Sequence, residues 1–151
     1  MENSNLEACN ISENIADLFC KKKLLGACLL SSAMLSTLTK GDVVEGYLIF
    51  DQHKLYFRHY WTVVENTTYD ISFRVRQRLF QSSSISRLSV IAPSNDYTYL
   101  SLENEPQLME LEAGYRDYKE KPNKYLKKAP GWARRYLTLR KKSINKAIHC
   151  N

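Results

Sequence analysis

The sequence predicts an α+β protein in which a central buried helix packs on an antiparallel sheet, with further helices toward the C-terminus. Three observations carry this. Between residues 27 and 39 apolar side chains lie all round a helical projection, with only Ser31, Ser32, Ser36 and Thr37 between them; a helix without a charged face is a buried helix. From Asp42 to Val75 the apolar period changes to two, the period of strands. Beyond residue 105, Pro106, Pro122 and Pro130-Gly131 punctuate stretches whose apolar residues recur at helical spacing.

In chain order, Ser4-x-x-Glu7 fits a capping box, and Ile11, Ile15, Leu18 and Phe19 continue at helical spacing to about residue 20. Lys21, Lys22 and Lys23 close this helix, where cations are favoured. The buried helix then runs from about Ala27 to Thr39, with Gly41 as its C-cap. Val43 to Phe50 is a first β run, containing Gly46 as a bulge or a close backbone approach. Asp51-Gln52-His53-Lys54 is a turn, Leu55 to Val64 a second run, and Thr67 to Val75 a third, with Arg74 and Arg76 continuing its alternation toward Arg78. Ile85 to Ile91 reads as a further strand or short helix, Pro93 to Asp96 as a turn, and residues 105–119 as a helix. Trp132 to Ala147 forms a last, basic helix. The expected organisation is a domain over residues 1–120 and a basic helical extension over 121–151, packed on the domain or trailing it.

The chain of 151 residues is long enough to bury a core. It contains no apolar run of about 18 residues, and Met1 to Asn5 lacks the basic and apolar regions of a signal peptide, so a soluble, cytoplasmic protein without a membrane span is expected. The net charge of +6 is unevenly placed: residues 115–151 carry +10 and residues 1–114 carry −4. An anionic partner would therefore meet the C-terminal segment. Cys9, Cys20, Cys28 and Cys150 have neither the spacing of a zinc site nor that of a disulfide framework. They read as free thiols, and neither a metal nor an organic cofactor is expected.

One of these thiols is placed for chemistry. Thiol attack requires the thiolate. Cys28 follows Gly26 at the start of the buried helix, where unpaired N–H groups and the positive end of the dipole favour negative charge. Downstream lie His59 and Asp70. If Glu65-Asn66 is a two-residue hairpin loop, Val64 pairs with Thr67, Trp61 faces Asp70 and His59 faces Ser72. His59 and Asp70 are then diagonal neighbours on one face, about 7–8 Å apart at Cα and within reach of a hydrogen bond. A three-residue loop would place them on opposite faces. In the favoured register Asp70 orients His59, which serves Cys28 as its base, the division of labour of a nucleophile-base-orienter triad. Cys20 is the rival thiol, at a helix end beside lysines.

Cys28 at a helix start, Glu45-Gly46-Tyr47 on a strand, His59-Tyr60-Trp61, and Tyr69-Asp70-Ile71 together resemble the core of the transglutaminase-like cysteine enzymes of the papain-like fold. The family pattern is a cysteine opening the central helix, a Gly-Tyr strand, His-Ala-Trp, and an aspartate on the next strand. The resemblance covers about residues 24–75. It implies acyl transfer on an amide bond, with a protein or peptide substrate carrying a reactive carboxamide. Cys28 would be the nucleophile, His59 general base and acid, and Asp70 the orienter. Tyr47, Tyr60 and Trp61 would border the substrate, and Asn14 and the Cys28 N–H are the oxyanion candidates. Cysteine protease, glutamine deamidase and transglutaminase are the activities in question; no dedicated amine site is visible, which favours hydrolysis over cross-linking. A catalytically inactive interaction protein with the same fold is the alternative within the family.

A third alternative rests on residues 121–146. There Lys127, Lys128, Arg134, Arg135, Arg140 and Lys141 are interleaved with Tyr125, Trp132 and Tyr136, a composition that can grip phosphates and stack bases. No recognised nucleic-acid-binding signature accompanies it.

Overall fold

The structure, a computed structural model, describes residues 2–50, 55–80, 97–101 and 122–148. Helix α1 (Glu2–Lys21) is followed by α2 (Cys28–Thr39), then strands β1 (Asp42–Phe50), β2 (Leu55–Val64) and β3 (Thr67–Tyr69). Helix α3 (Ile71–Phe80), strand β4 (Tyr97–Ser101), and helices α4 (Pro122–Lys127) and α5 (Gly131–Ile148) complete it. The strands form one sheet in the order β3-β2-β1-β4, antiparallel throughout. The expected α+β class with a central helix on an antiparallel sheet is what the described residues show.

Helix α2 is the centre. Seven consecutive residues, Leu30 to Ser36, are buried, and buried hydroxyls favour a nearby acceptor. Ser31 donates to the Cys28 carbonyl at 3.1 Å and Ser36 to the Gly41 carbonyl at 2.5 Å. From the sheet, Thr62 of β2 donates to the Ser32 carbonyl at 3.0 Å and ties helix to strand. The apolar core collects Ile11, Ile15 and Phe19 of α1, Ala33, Met34 and Leu35 of α2, Val64 of β2, Ile71 and Val75 of α3, and Ala133 and Leu137 of α5. Helices α4 and α5 thus contribute to the same core as α1 and α2. Among the described residues, no helix is long and apolar enough to cross a membrane.

The end of α2 differs from the expectation. Lys40, not Gly41, takes the left-handed conformation, at φ 60°, and its N–H donates to the Ser36 carbonyl at 2.8 Å. Gly41 is needed for space. A Cβ there would lie 2.7 Å from the Val63 carbonyl oxygen and 2.7 Å from Cγ2 of Val64. The two positions predict opposite outcomes. Lys40→Gly relieves an unfavourable backbone conformation, and stability is expected to rise by up to about 1 kcal/mol. Gly41→Ala drives a methyl into the β2 backbone and is expected to cost about 1–3 kcal/mol. Denaturant unfolding of the two variants checks both signs.

The third β run is also corrected. Its first three residues form β3, but from Ile71 the chain is helical. Ile71, Phe73 and Val75 alternate, yet Ile71 and Val75 are also four apart, as are Arg74 and Arg78. Both periods fit so short a stretch. Asp70 decides between them, because its Oδ1 accepts a hydrogen bond from the Phe73 N–H at 2.9 Å, the third residue of the helix, as an N-cap does. The arginines therefore lie along a helix: Arg78 pairs with Glu13 and Asp17 of α1, and Arg74 lies 3.4 Å from Glu13. Strand β4 was not anticipated, although Tyr97-Thr98-Tyr99-Leu100 is rich in strand-forming residues. It pairs with β1 from Gly46↔Ser101 to Phe50↔Tyr97. At Gly46 the ladder runs without a bulge, facing His59 on β2. The turn with His53, the segments Ile85–Ile91 and 105–119, and His149 and Cys150 lie outside the described residues.

Candidate active site

The hairpin has the two-residue loop and the pairing of Val64 with Thr67 expected, but the expected pairs of Trp61 with Asp70 and of His59 with Ser72 do not form, because the strand ends at Tyr69 and α3 begins at Ile71. Glu65 and Asn66 have φ of 47° and 66°, the pair of positive values required by a type I′ two-residue turn. Val64 pairs with Thr67, Val63 with Thr68 and Thr62 with Tyr69. The ladder stops there, because the next residue, Asp70, turns out of the strand to cap α3. Its two carboxylate oxygens are divided between two tasks: Oδ1 holds the first turn of α3, and Oδ2 lies 2.7 Å from His59 Nε2. Capping α3 fixes the carboxylate, and the fixed carboxylate sets the imidazole.

With Nε2 engaged by Asp70, Nδ1 is the nitrogen left for Cys28, which lies near enough to the ring for the imidazole to lower its thiol. Cys28 is the first residue of α2. Gly26, at φ +69°, makes the reversal that leads into the helix, and Ala27 at the N-cap supplies no side-chain acceptor. The first-turn donors are thus left without a side-chain cap, and the Leu29 N–H hydrogen-bonds to the Cys28 sulfur. A second backbone donor is the Tyr60 N–H. Tyr60 lies two residues beyond Thr62, where the pairing of β2 with β3 ends.

The electrostatics follow from this geometry. Burial pushes the Cys28 thiol up, but the hydrogen bond and charge of His59, with the Tyr60 and Leu29 N–H groups, leave it below the ordinary thiol value of 9.0. For His59 burial acts downward, and the Asp70 carboxylate outweighs it; with the hydrogen bond and charge of Cys28 the imidazole is pushed up from 6.5 to about 10. The two shifts have one origin, since each group favours the charged form of the other. Cys20 behaves in the opposite way: burial, then the Asp17 carboxylate, raise its thiol against the lowering effect of Arg74. Cys9, Cys20 and Cys28 are all free and half-buried. Neighbours alone distinguish them.

The other anticipated residues divide. Trp61 is buried and stacks on His59, with ring centroids 6.4 Å apart and planes 28° from parallel. Tyr60 is buried too, and its clearest role lies in its backbone N–H. Tyr47 follows Gly46 on β1, in register with Arg58. Asn14 is exposed on α1 and is not among the groups that reach the Cys28 sulfur. The backbone donors of Leu29 and Tyr60 were missed in the sequence because a main-chain N–H has no residue signature. Among the described residues, no group of three or more His, Cys, Asp or Glu is placed to hold a metal ion.

On α5, Arg134, Arg135 and Lys141 are exposed, as are Lys127 and Lys128 at the end of α4. Arg140 is half-buried and its Nε donates to the Tyr136 hydroxyl at 3.4 Å. The aromatic side chains expected to stack bases face the core: Tyr125, Trp132 and Tyr136 pack against its apolar cluster, Trp132 edge-on to Phe19 at 5.7 Å. Comparison of the chain with family models, curated proteins and solved structures gives no match.

Proposed function

We propose that the protein is a thiol enzyme of the transglutaminase-like, papain-like kind that cleaves or transfers at an amide bond. The observation that carries this reading is the buried Asp70 carboxylate 2.7 Å from His59 Nε2, in an imidazole close enough to Cys28 to draw its thiol down. A buried imidazole clamped on one side by a buried carboxylate holds its proton, and that proton stabilises a thiolate at the start of a helix.

In the proposed reaction the Cys28 thiolate attacks the carbonyl carbon of a carboxamide or peptide, and the developing oxyanion is met by first-turn N–H groups of α2. His59 gives its Nδ1 proton to the departing amine, leaving a thioester on Cys28. Water, deprotonated by the now neutral imidazole, attacks the thioester and releases the acid. The thiolate-imidazolium pair is restored. An amine in place of water would give transamidation by the same steps. Asp70 keeps Nε2–H engaged throughout and fixes which nitrogen works. Trp61, stacked on the ring, limits its rotation.

Iodoacetamide labelling mapped by mass spectrometry tests the reading on all four cysteines. Cys28 is expected to alkylate selectively below pH 7, its rate rising with pH through a midpoint lower than that of Cys20, and His59→Ala is expected to abolish the selectivity. Uniform slow labelling of the four thiols would instead indicate a non-catalytic protein that keeps the fold.

A further inference from the structure

The outer face of α5 carries a charge pattern that the proposed chemistry does not use. Between residues 122 and 148 the sequence holds nine Lys and Arg and no Asp or Glu. At 100° per residue, Arg134, Arg135, Lys141, Lys142 and Lys146 fall within an arc of about 140° on one side of the helix. All five are exposed. Among the described residues none of them forms an ion pair, in contrast to Arg74 and Arg78, which are matched to acids of α1. Five uncompensated cations on one rigid face repel one another, a cost that an anionic partner would relieve.

The opposite side of α5 narrows the choice of partner. Ala133 and Leu137 are buried in the core and Ile144 packs against it, so of the apolar side chains described on α5 only Leu139 is left exposed, too little to enter a lipid interface. Stacking of unpaired bases needs open ring faces, but Trp132 and Tyr136 are half-buried against the core, Trp132 lying between Phe19 and Lys22 and Tyr136 bonded to Arg140. What remains is a ring-free array of point charges. Its two adjacent pairs, Arg134-Arg135 and Lys141-Lys142, are seven residues or about 10.5 Å apart along the axis, close to the roughly 12 Å width of a duplex major groove. We infer that this face of α5 binds the phosphate backbone of double-stranded nucleic acid, without sequence preference, bridging phosphates on the two sides of a groove.

Fluorescence anisotropy on the full chain tests this with a labelled 24-base-pair duplex of mixed sequence, the single strand of equal length, and vesicles containing anionic phosphatidylserine. If the five cations engage phosphates, duplex affinity is expected to fall a few hundred-fold between 50 and 200 mM salt, a logarithmic slope of about −4 to −5. The combined variant Arg134→Ala, Arg135→Ala, Lys141→Ala, Lys142→Ala should flatten that slope by about 3 to 4. All four positions are exposed, so circular dichroism and Cys28 alkylation should stay as in the parent and show that the fold persists. The inference is overturned by duplex binding that the four substitutions leave unchanged, by tighter binding of the single strand than of the duplex, or by binding of vesicles alone. Failure of the thiol chemistry would leave it untouched, since no residue of the triad takes part.

Discussion

Asp70→Asn is expected to slow Cys28 alkylation at pH 6 by on the order of 10²-fold or more, and any acyl-transfer activity with it, while keeping the cap of α3. The carboxylate has two jobs and asparagine can do one of them. Its side-chain oxygen still accepts from the Phe73 N–H, as Asn is a good N-cap. It cannot supply the negative charge that, against burial, pushes His59 up to about 10. Without that charge the imidazole releases its proton at lower pH and Cys28 loses the cation that offsets its own burial. Asp70→Ala removes both functions and should cost about 1 kcal/mol more through the lost cap. Destabilisation by Asp70→Ala alone, with alkylation unaffected in both variants, would reduce Asp70 to a structural cap.

The same pair sets a pH dependence of stability. Folded His59 binds its proton more tightly than the unfolded side chain, from 6.5 to about 10. Its contribution is therefore complete below about pH 6.5 and is lost as pH rises through about 10. Cys28, with its value lowered from 9.0, runs the other way: its contribution is present above 9 and disappears as pH falls through the lowered value. Between those limits both charges are present, so the pH-rate profile of acyl transfer should be bell-shaped, with its alkaline limb set by His59. In Asp70→Asn that limb should move to lower pH.

The largest loss of stability is expected for Phe19→Ala, about 3–5 kcal/mol, or a fall in Tm of about 10 °C or more. Phe19 is fully buried on α1 and meets Trp132 of α5 edge to face, and Lys22 Nζ lies 4.9 Å from the centre of the Trp132 ring. The substitution removes a core ring and the surface on which α5 is seated. Lys22→Ala, which removes only a partly solvated cation-π contact, should cost no more than about 1 kcal/mol. Thermal unfolding of the pair checks the difference. A comparable fall in both would mean that the lysine, rather than the buried ring, holds α5.

What the sequence could reveal was what is written locally. The apolar, hydroxyl-spaced stretch after Gly26 marked a buried helix starting at Cys28, and two runs of period two marked β1 and β2. The turn at Glu65-Asn66 gave the pairing of Val64 with Thr67, even though neither residue is the glycine such turns favour, but the approach of Asp70 to His59 comes from Asp70 leaving the strand to cap α3 and not from a cross-strand diagonal. Where two readings were locally equal, packing chose. Ile71 to Val75 fits strand and helix alike, and the helix forms because Asp70 caps it and Ile71 and Val75 are then buried together. Gly41 looked like a helix stop, but its reason lies in the backbone of β2, 22 residues further along the chain at Val63. The acidity of Cys28 draws on the Tyr60 N–H, on a stretch of β2 beyond the end of β3, and the basic face of α5 takes its character from Trp132 and Tyr136 being half-buried against the core. Periodicity and turn chemistry act over a few neighbouring residues and can be read in order. Which donor is left over, and which face is left open, is settled only when distant segments have taken their places.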